Sequence, residues 1–244
     1  MARVWEHCLT TPRRNVPRKT ASPRLFADKS AQGGAELRKD RAYELILLDI
    51  ILGDLPPSAR LDENELARRY GEGLAAIRDA LGRLALEGMV DRRPRAGTFV
   101  TPLDLLELDY EYEARRLIEP DCAALAAVNG SEEDLREISA AFAEGQAAAA
   151  ARDWKALVRM DQRFHAAVGR ACRNRSLEQV LVPLQYKAAR YWIYWSRQRG
   201  PGDHLASVLG HQEVAARIVA RDPDGARAAM LAVMGEPPSA PVGA

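Results

Sequence analysis

The sequence predicts a mainly α-helical chain in two parts, an N-terminal winged helix-turn-helix followed by an all-α antiparallel helical bundle. Three observations carry this. Apolar residues recur at helical spacing in three short segments before residue 88. A basic, turn-rich stretch, "MVDRRPRAGTFV", then reads as a β-hairpin. Beyond Leu103 there are only alanine-rich helical segments separated by turn residues, with no convincing strand.

The first helix is expected over 35–52, with Leu37, Tyr43, Leu45, Ile46, Ile50 and Ile51 at helical spacing and Gly53 closing it. After the Pro-rich "DLPPSARL", Asp62 is placed to cap a second helix, with Glu65 three residues on and Gly71 as its stop. Leu74 opens a third, which puts Ile77, Leu81 and Leu84 on one face and ends near Glu87. The hairpin strands are expected at 89–92 and 98–100, joined through Pro94, Arg95, Ala96 and Gly97. Two helices joined by a Gly-containing turn and followed by a basic hairpin form a winged helix-turn-helix. The later helices are expected at 103–128, 132–151, 153–172, 174–197, 203–221 and 223–235. The resulting domains are a flexible basic arm at 1–34, the winged helix at 35–101, the helical domain at 102–235 and a disordered tail at 236–244.

The composition narrows the function classes. Hydrophobic residues make up 47% and charged residues 28%, a globular balance able to bury a core. A net charge of +1 does not announce a nucleic-acid binder, so charge has to be read locally. Arg13, Arg14, Arg18, Lys19 and Arg24 lie in the arm among prolines. Cys8, Cys122 and Cys172 are far apart and show no zinc-finger spacing, which implies reduced thiols in a cytoplasmic protein. No stretch approaches the ~20 apolar residues of a membrane helix, and the N-terminus does not have the form of a secretory signal.

On "ILLDIILGDLPPSARLDENELARRYG", "IRDALGRLALEGMV" and "RAGTFV", then "YEARRLIEPDCAALAA", "DQRFHAAV" and "HQEVAARIVARDPDGARAAM", the chain resembles the GntR family of transcriptional regulators, FadR type, with an all-helical FCD effector domain. The resemblance covers about residues 41–235. It implies a homodimer that binds double-stranded operator DNA through the winged helix and a small organic acid through the helical domain, with repression the more usual outcome.

The family usually opens its reading helix with Ser-Arg-Thr-Pro-Val-Arg. The matching positions here are Gly73, Leu74, Ala75, Ala76, Ile77 and Arg78, so only the last arginine is kept. Losing a bidentate Arg–guanine pair forfeits ~1–3 kcal/mol of base discrimination. The expected DNA-contacting set is Arg68, Arg69, Gly73, Leu74, Ala75 and Arg78, with Arg92, Arg93, Arg95 and Gly97 in the wing. The arginines can hold phosphate without specifying sequence. Nearby acids, among them Asp62, Glu63, Glu65 and Asp79, work against them.

Asp161 and His165, at i and i+4, stack two ligand-capable side chains on one helical face, a spacing that also fits an ordinary hydrogen-bonded pair. Through the resemblance they become metal ligands together with His211. The family's fourth ligand falls at Val233, which cannot ligate. The implied site binds Zn²⁺, Ni²⁺ or Mn²⁺ through three protein ligands, with water or an effector carboxylate completing the shell; a metal-free acid pocket is the alternative. His204, two turns before His211, is a substitute ligand to weigh. Arg115 matches a recurrent family arginine that can clamp a carboxylate, or it can pair with Glu119 at i+4. Arg190 is the second expected effector contact, and the adjacent Tyr191, Trp192, Tyr194 and Trp195 suit a core, a dimer surface or a pocket lining.

An enzyme reading finds no activated nucleophile and no Gly-rich phosphate loop, and it leaves the winged helix unexplained. The chain is therefore expected not to be an enzyme. The rival to a regulator is a sensor or interaction protein of the same descent that no longer reads specific DNA.

Overall fold

The computed structural model describes residues 34–196 and 202–235. The basic arm, apart from Gly34, and the tail lie outside the described residues. α1 (Gly34–Leu52) is followed by Gly53 at φ +78°, in the left-handed region that favours glycine. After β1 (Arg60–Leu61) comes α2 (Glu63–Tyr70), capped as its sequence predicts. The Asp62 carboxylate accepts from the backbone N–H groups of Asn64 and Glu65, each at 2.9 Å, and Gly71 ends the helix at φ +66°. α3 (Leu74–Leu86) starts behind Gly73, whose extended backbone serves as a cap with no side chain to help. β2 (Val90–Arg93) and β3 (Gly97–Val100) form the antiparallel hairpin with Arg93 opposite Gly97. β1 adds to the other edge of β3, pairing Arg60 with Phe99, so the sheet order is β1-β3-β2. The sequence reading did not anticipate this two-residue strand.

The helical domain consists of α4 (Leu105–Asn129), α5 (Glu132–Ala140), α6 (Gly145–Ala151), α7 (Trp154–Ala171), α8 (Arg175–Ser196), α9 (Gly202–Val219) and α10 (Pro223–Met234). Side chains cap several N-termini: Asp104 on α4, Ser131 with a capping box to Asp134 on α5, Asp153 on α7 and Asp222 on α10. The single helix expected at 132–151 is two helices. The Phe142 carbonyl accepts instead from Gln212 Nε2 at 3.0 Å and from the Gly145 N–H at 3.1 Å. Gly145 then lies so close to α9 that a Cβ there would sit 2.6 Å from Val208 Cγ1. The break is thus a tertiary event, written in residues more than sixty positions away.

The winged helix closes around Ile46, Ile50, Ile77, Leu81, Leu84 and Met89, all essentially inaccessible. This core does not stop at the domain boundary. Val158 of α7 and Tyr186, Ala189 and Ile193 of α8 belong to the same apolar cluster. A second core packs the small inner face of α4, from Cys122 to Ala127, against Phe164, Ala167 and Val168 of α7, with Ile218 and Met230 beyond.

Polar contacts fasten the boundary. Tyr43 on α1 donates to Glu87 Oε2 at 2.6 Å, the C-cap of α3, and packs edge-on to Tyr186 of α8. Burial raises the Glu87 pKa. Lys187 pairs with Glu111 of α4 at 3.0 Å and its chain lies against Gly88. Arg190 donates to both the hydroxyl (3.0 Å) and carbonyl (2.6 Å) oxygens of Thr101, just past the wing. Tyr191 donates to the Asp104 carbonyl and accepts from its N–H.

Candidate functional site

The face of the winged helix expected to meet DNA is chemically sparse. Gly73, Leu74, Ala75 and Arg78 are exposed at the start of α3, and Arg68 and Arg69 at the end of α2. Three of the expected guanidiniums already have anionic partners. Arg69 donates to Asp49 Oδ2 at 2.6 Å, and Asp49 also accepts from Tyr70, so Arg69 is tied to α1. Arg78 donates to Glu63 Oε2 at 2.6 Å across the helix-turn-helix. Arg93 donates to Asp91 at 2.7 Å and lies over the Phe99 ring. Arg92 and Arg95 are exposed in the wing and have no ion pair among the described residues; Arg95 sits at φ +64° in the turn before exposed Gly97.

The Arg78–Glu63 pair gives a direct test. Glu63→Ala is expected to free Arg78 for phosphate, strengthening DNA binding at low salt and steepening the log K against log [salt] slope by roughly one contact. Salt titrations of both proteins on one duplex measure this; an unchanged slope contradicts a phosphate role for Arg78.

In the helical domain three donor atoms converge. His165 Nε2 lies 3.2 Å from His211 Nε2, and Asp161 Oδ1 lies 3.6 Å from the first and 3.5 Å from the second. Metal–ligand bonds of 2.0–2.2 Å in a tetrahedron place donors about 3.3–3.6 Å apart, so the spacing fits a metal held on one triangular face. The other ring nitrogens fit too. His211 Nδ1 lies 2.7 Å from the Ser207 carbonyl, to which it can only donate, leaving Nε2 as the bare donor atom. His165 Nδ1 lies 3.1 Å from Glu119 Oε2 and 3.1 Å from Gln185 Nε2.

Electrostatics set which ring carries the extra proton when no metal is bound. Burial alone would lower the His165 pKa, but the Glu119 and Asp161 carboxylates outweigh it and hold it at about 9. Burial and the charged His165 beside it hold His211 down at about 4. Burial works against Asp161 and Glu119 as carboxylates. His165 and His211 nevertheless hold the first at about 2, and Arg115 with His165 hold the second at about 2. Asp161 is the partly exposed member of the three.

The cluster opens into a cavity of about 420 Å³ whose walls include Tyr112, Arg115, Gln185, Trp192, Ser207 and Val233. Arg115 both lines this space and pairs with Glu119, Nε to Oε1 at 2.5 Å, while its Nη2 reaches Gln185 Oε1 at 3.3 Å. The pairing with Glu119 is therefore present, and it leaves Arg115 in the cavity wall. Val233 is in the wall with its methyl against Gly210, so the position matched to a fourth ligand faces the cavity with carbon.

One expected residue, Arg190, and one residue weighed as a substitute ligand, His204, lie elsewhere. Arg190 does not line the cavity; its guanidinium is spent on Thr101, because its place on α8 faces the wing. His204 is buried edge-on against Trp154 and Trp192 and is not among the converging donors. Of the described aromatic side chains in its run, Trp192 reaches the cavity, Tyr191 holds the interdomain link and Tyr194 is half exposed. Glu119 carried one signal, its i+4 spacing from Arg115; Gln185 carried none.

A winged helix fused to a helical domain that holds a three-donor cluster in a cavity defines a two-domain DNA-binding regulator. Residues 38–100 match the bacterial regulatory proteins of the gntR family and residues 111–236 match the FCD domain; the chain belongs to the GntR family and carries an FCD domain. It is similar to the HTH-type transcriptional repressor GlaR of Escherichia coli, with 30% identity over 186 residues, 74% of this chain and 84% of that one. It is also 31% identical, over 192 residues, to the putative L-lactate dehydrogenase operon regulatory protein of E. coli, covering 70% and 72% of the two chains. Among solved structures, E. coli McbR/YncC shares the fold with a TM-score of 0.70 at 21% identity, over 81% of this chain and 93% of that one. McbR is itself named as an HTH-type transcriptional regulator. No described helix is long and apolar enough to cross a membrane.

Proposed function

We propose that this chain is a ligand-responsive repressor of the FadR type. In this reading a homodimer binds a two-half-site operator and releases or reshapes it when a small carboxylate enters the FCD cavity. The observation that carries the proposal is the double duty of α8. Gln185, Ala188, Ala189 and Trp192 line the cavity. Tyr186, Lys187, Arg190 and Tyr191, interleaved with them, grip α1, the end of α3 and the linker after the wing. A ligand that prefers one position of α8 therefore biases the reading heads, which is the differential affinity any population shift requires.

Asp161, His165 and His211 are the ligands for Zn²⁺, Ni²⁺ or Mn²⁺, and a bound ion supplies a fixed positive charge to anchor an anion. Arg115 presents its remaining N–H groups to the same ligand. Arg68, Arg92 and Arg95, with Arg78 once released from Glu63, hold phosphate at the operator. Exposed Leu106, Tyr110 and Leu117 form an apolar stripe along α4 that suits a homodimer interface.

The test is footprinting on DNA flanking the chain's own gene, at low and moderate salt, with Zn²⁺ present. Protection of an inverted repeat, relieved by a small carboxylate, supports the regulator. A folded dimer that protects nothing at low salt leaves the sensor that no longer reads DNA.

A further inference from the structure

Resting on the metal reading above, we infer that Glu119 is a positioning residue for the metal ligand His165: its second carboxylate oxygen holds the proton on Nδ1 and so keeps Nε2 aimed at the ion.

Glu119 is 1% exposed, and its two oxygens do different things. Oε1 takes the Arg115 guanidinium. Oε2 is fully buried and has no conventional hydrogen-bond partner among the described residues; its polar neighbour is His165 Nδ1 at 3.1 Å. A carboxylate present only to balance Arg115 would leave that oxygen stranded, which is costly for a buried acceptor. At 3.1 Å the two atoms are already within hydrogen-bond distance.

The tautomer of His165 agrees with this role. A metal on Nε2 of a neutral ring requires the proton on Nδ1, and a protonated Nδ1 cannot accept from the Gln185 amide that also approaches it. The proton's acceptor is then Glu119. His211 has the matching arrangement, its Nδ1 held by the Ser207 carbonyl. Two elements, α4 and α9, thus fix two rings so that their Nε2 atoms meet at one point. Carboxylate–histidine–metal chains of this kind orient the ring and raise its basicity.

The experiment compares Zn²⁺ binding by wild type, Glu119→Gln and the double swap Glu119→Gln/Gln185→Glu, with melting of each apo protein recorded and histidine ¹⁵N spectra taken on the Zn²⁺-loaded forms. The swap keeps one buried carboxylate beside Arg115 and returns it to the other side of Nδ1. Glu119→Gln is expected to weaken Zn²⁺ about 10–100-fold and to disturb the Nδ1–H signature of His165, and the swap to recover both. Where Glu119→Gln does not fold, the swap is read alone against wild type: retained affinity supports the role and lost affinity overturns it. Glu119→Gln binding as tightly as wild type, with an unchanged spectrum, overturns it, as does a folded swap no better than Glu119→Gln. Wild type that binds no Zn²⁺ brings down the metal reading itself, and Glu119 with it, an outcome separate from the others.

Discussion

His211→Ala is expected to abolish saturable Zn²⁺ binding and the thermal stabilisation that accompanies it. His211 supplies one of three donors, so its loss leaves an Asp/His pair on one helix, a chelate with no partner from α9. The loss should exceed the roughly 10–100-fold expected of an outer-shell change. In wild type, Zn²⁺ held at this site and supplied at about a hundred times its Kd would add ~2.7 kcal/mol to the folded state. For a chain of this size that raises the melting temperature by roughly 5–11 °C, at about 2–4 °C per kcal/mol. The variant should show no such rise. Its apo form should fold, because His211 in the metal-free protein is a neutral ring stacked on Phe142 and edge-on to Phe164. A variant that still shifts with Zn²⁺ as wild type does would move the binding site elsewhere.

Leu81→Ala should lower the melting temperature of the whole chain in one transition. Leu81 is fully buried on α3, and truncating such a leucine costs about 2–5 kcal/mol. At about 2–4 °C per kcal/mol the shift is roughly 4–20 °C. The more telling part is its form. The core around Leu81 runs without interruption into Tyr186, Ala189 and Ile193 of α8. The destabilised winged helix therefore takes the helical domain with it. Calorimetry that resolves a low-temperature transition, with the upper one unmoved, would show that the two domains melt separately and would weaken the case for α8 as a rigid link.

The parts of the fold that follow from near neighbours were legible in the sequence. Asp62 and Gly71 bracket α2 because a cap and a left-handed stop act within one turn. The hairpin turn was legible from Arg95 and Gly97 for the same reason. What was hidden depends on distant partners. β1 is two residues long and has no periodicity of its own; β3 makes it a strand. The α5–α6 break carries only Gly145 as a local signal among its alanines, and the partners that meet it there, Gln212 on the Phe142 carbonyl and Val208 against Gly145, lie far along the chain. At the site, Asp161 and His165 could be paired by spacing, whereas His211 needed the family resemblance. Arg190, expected as an effector contact, does not line the cavity. Its direction on α8 depends on where the wing docks, which no local pattern records.

The interleaving on α8 also bears on how the cavity could be refitted for a different ligand. A bulky substitution at Ala188 or Ala189 would push the helix, and the push would be felt at Tyr43 and Thr101. The opposite wall carries no such obligation. Ser207, Ala229 and Val233, on α9 and α10, line the cavity, and neither helix packs extensively on the winged helix among the described residues. Diversification of ligand choice, in the laboratory or by descent, has its free ground on that side.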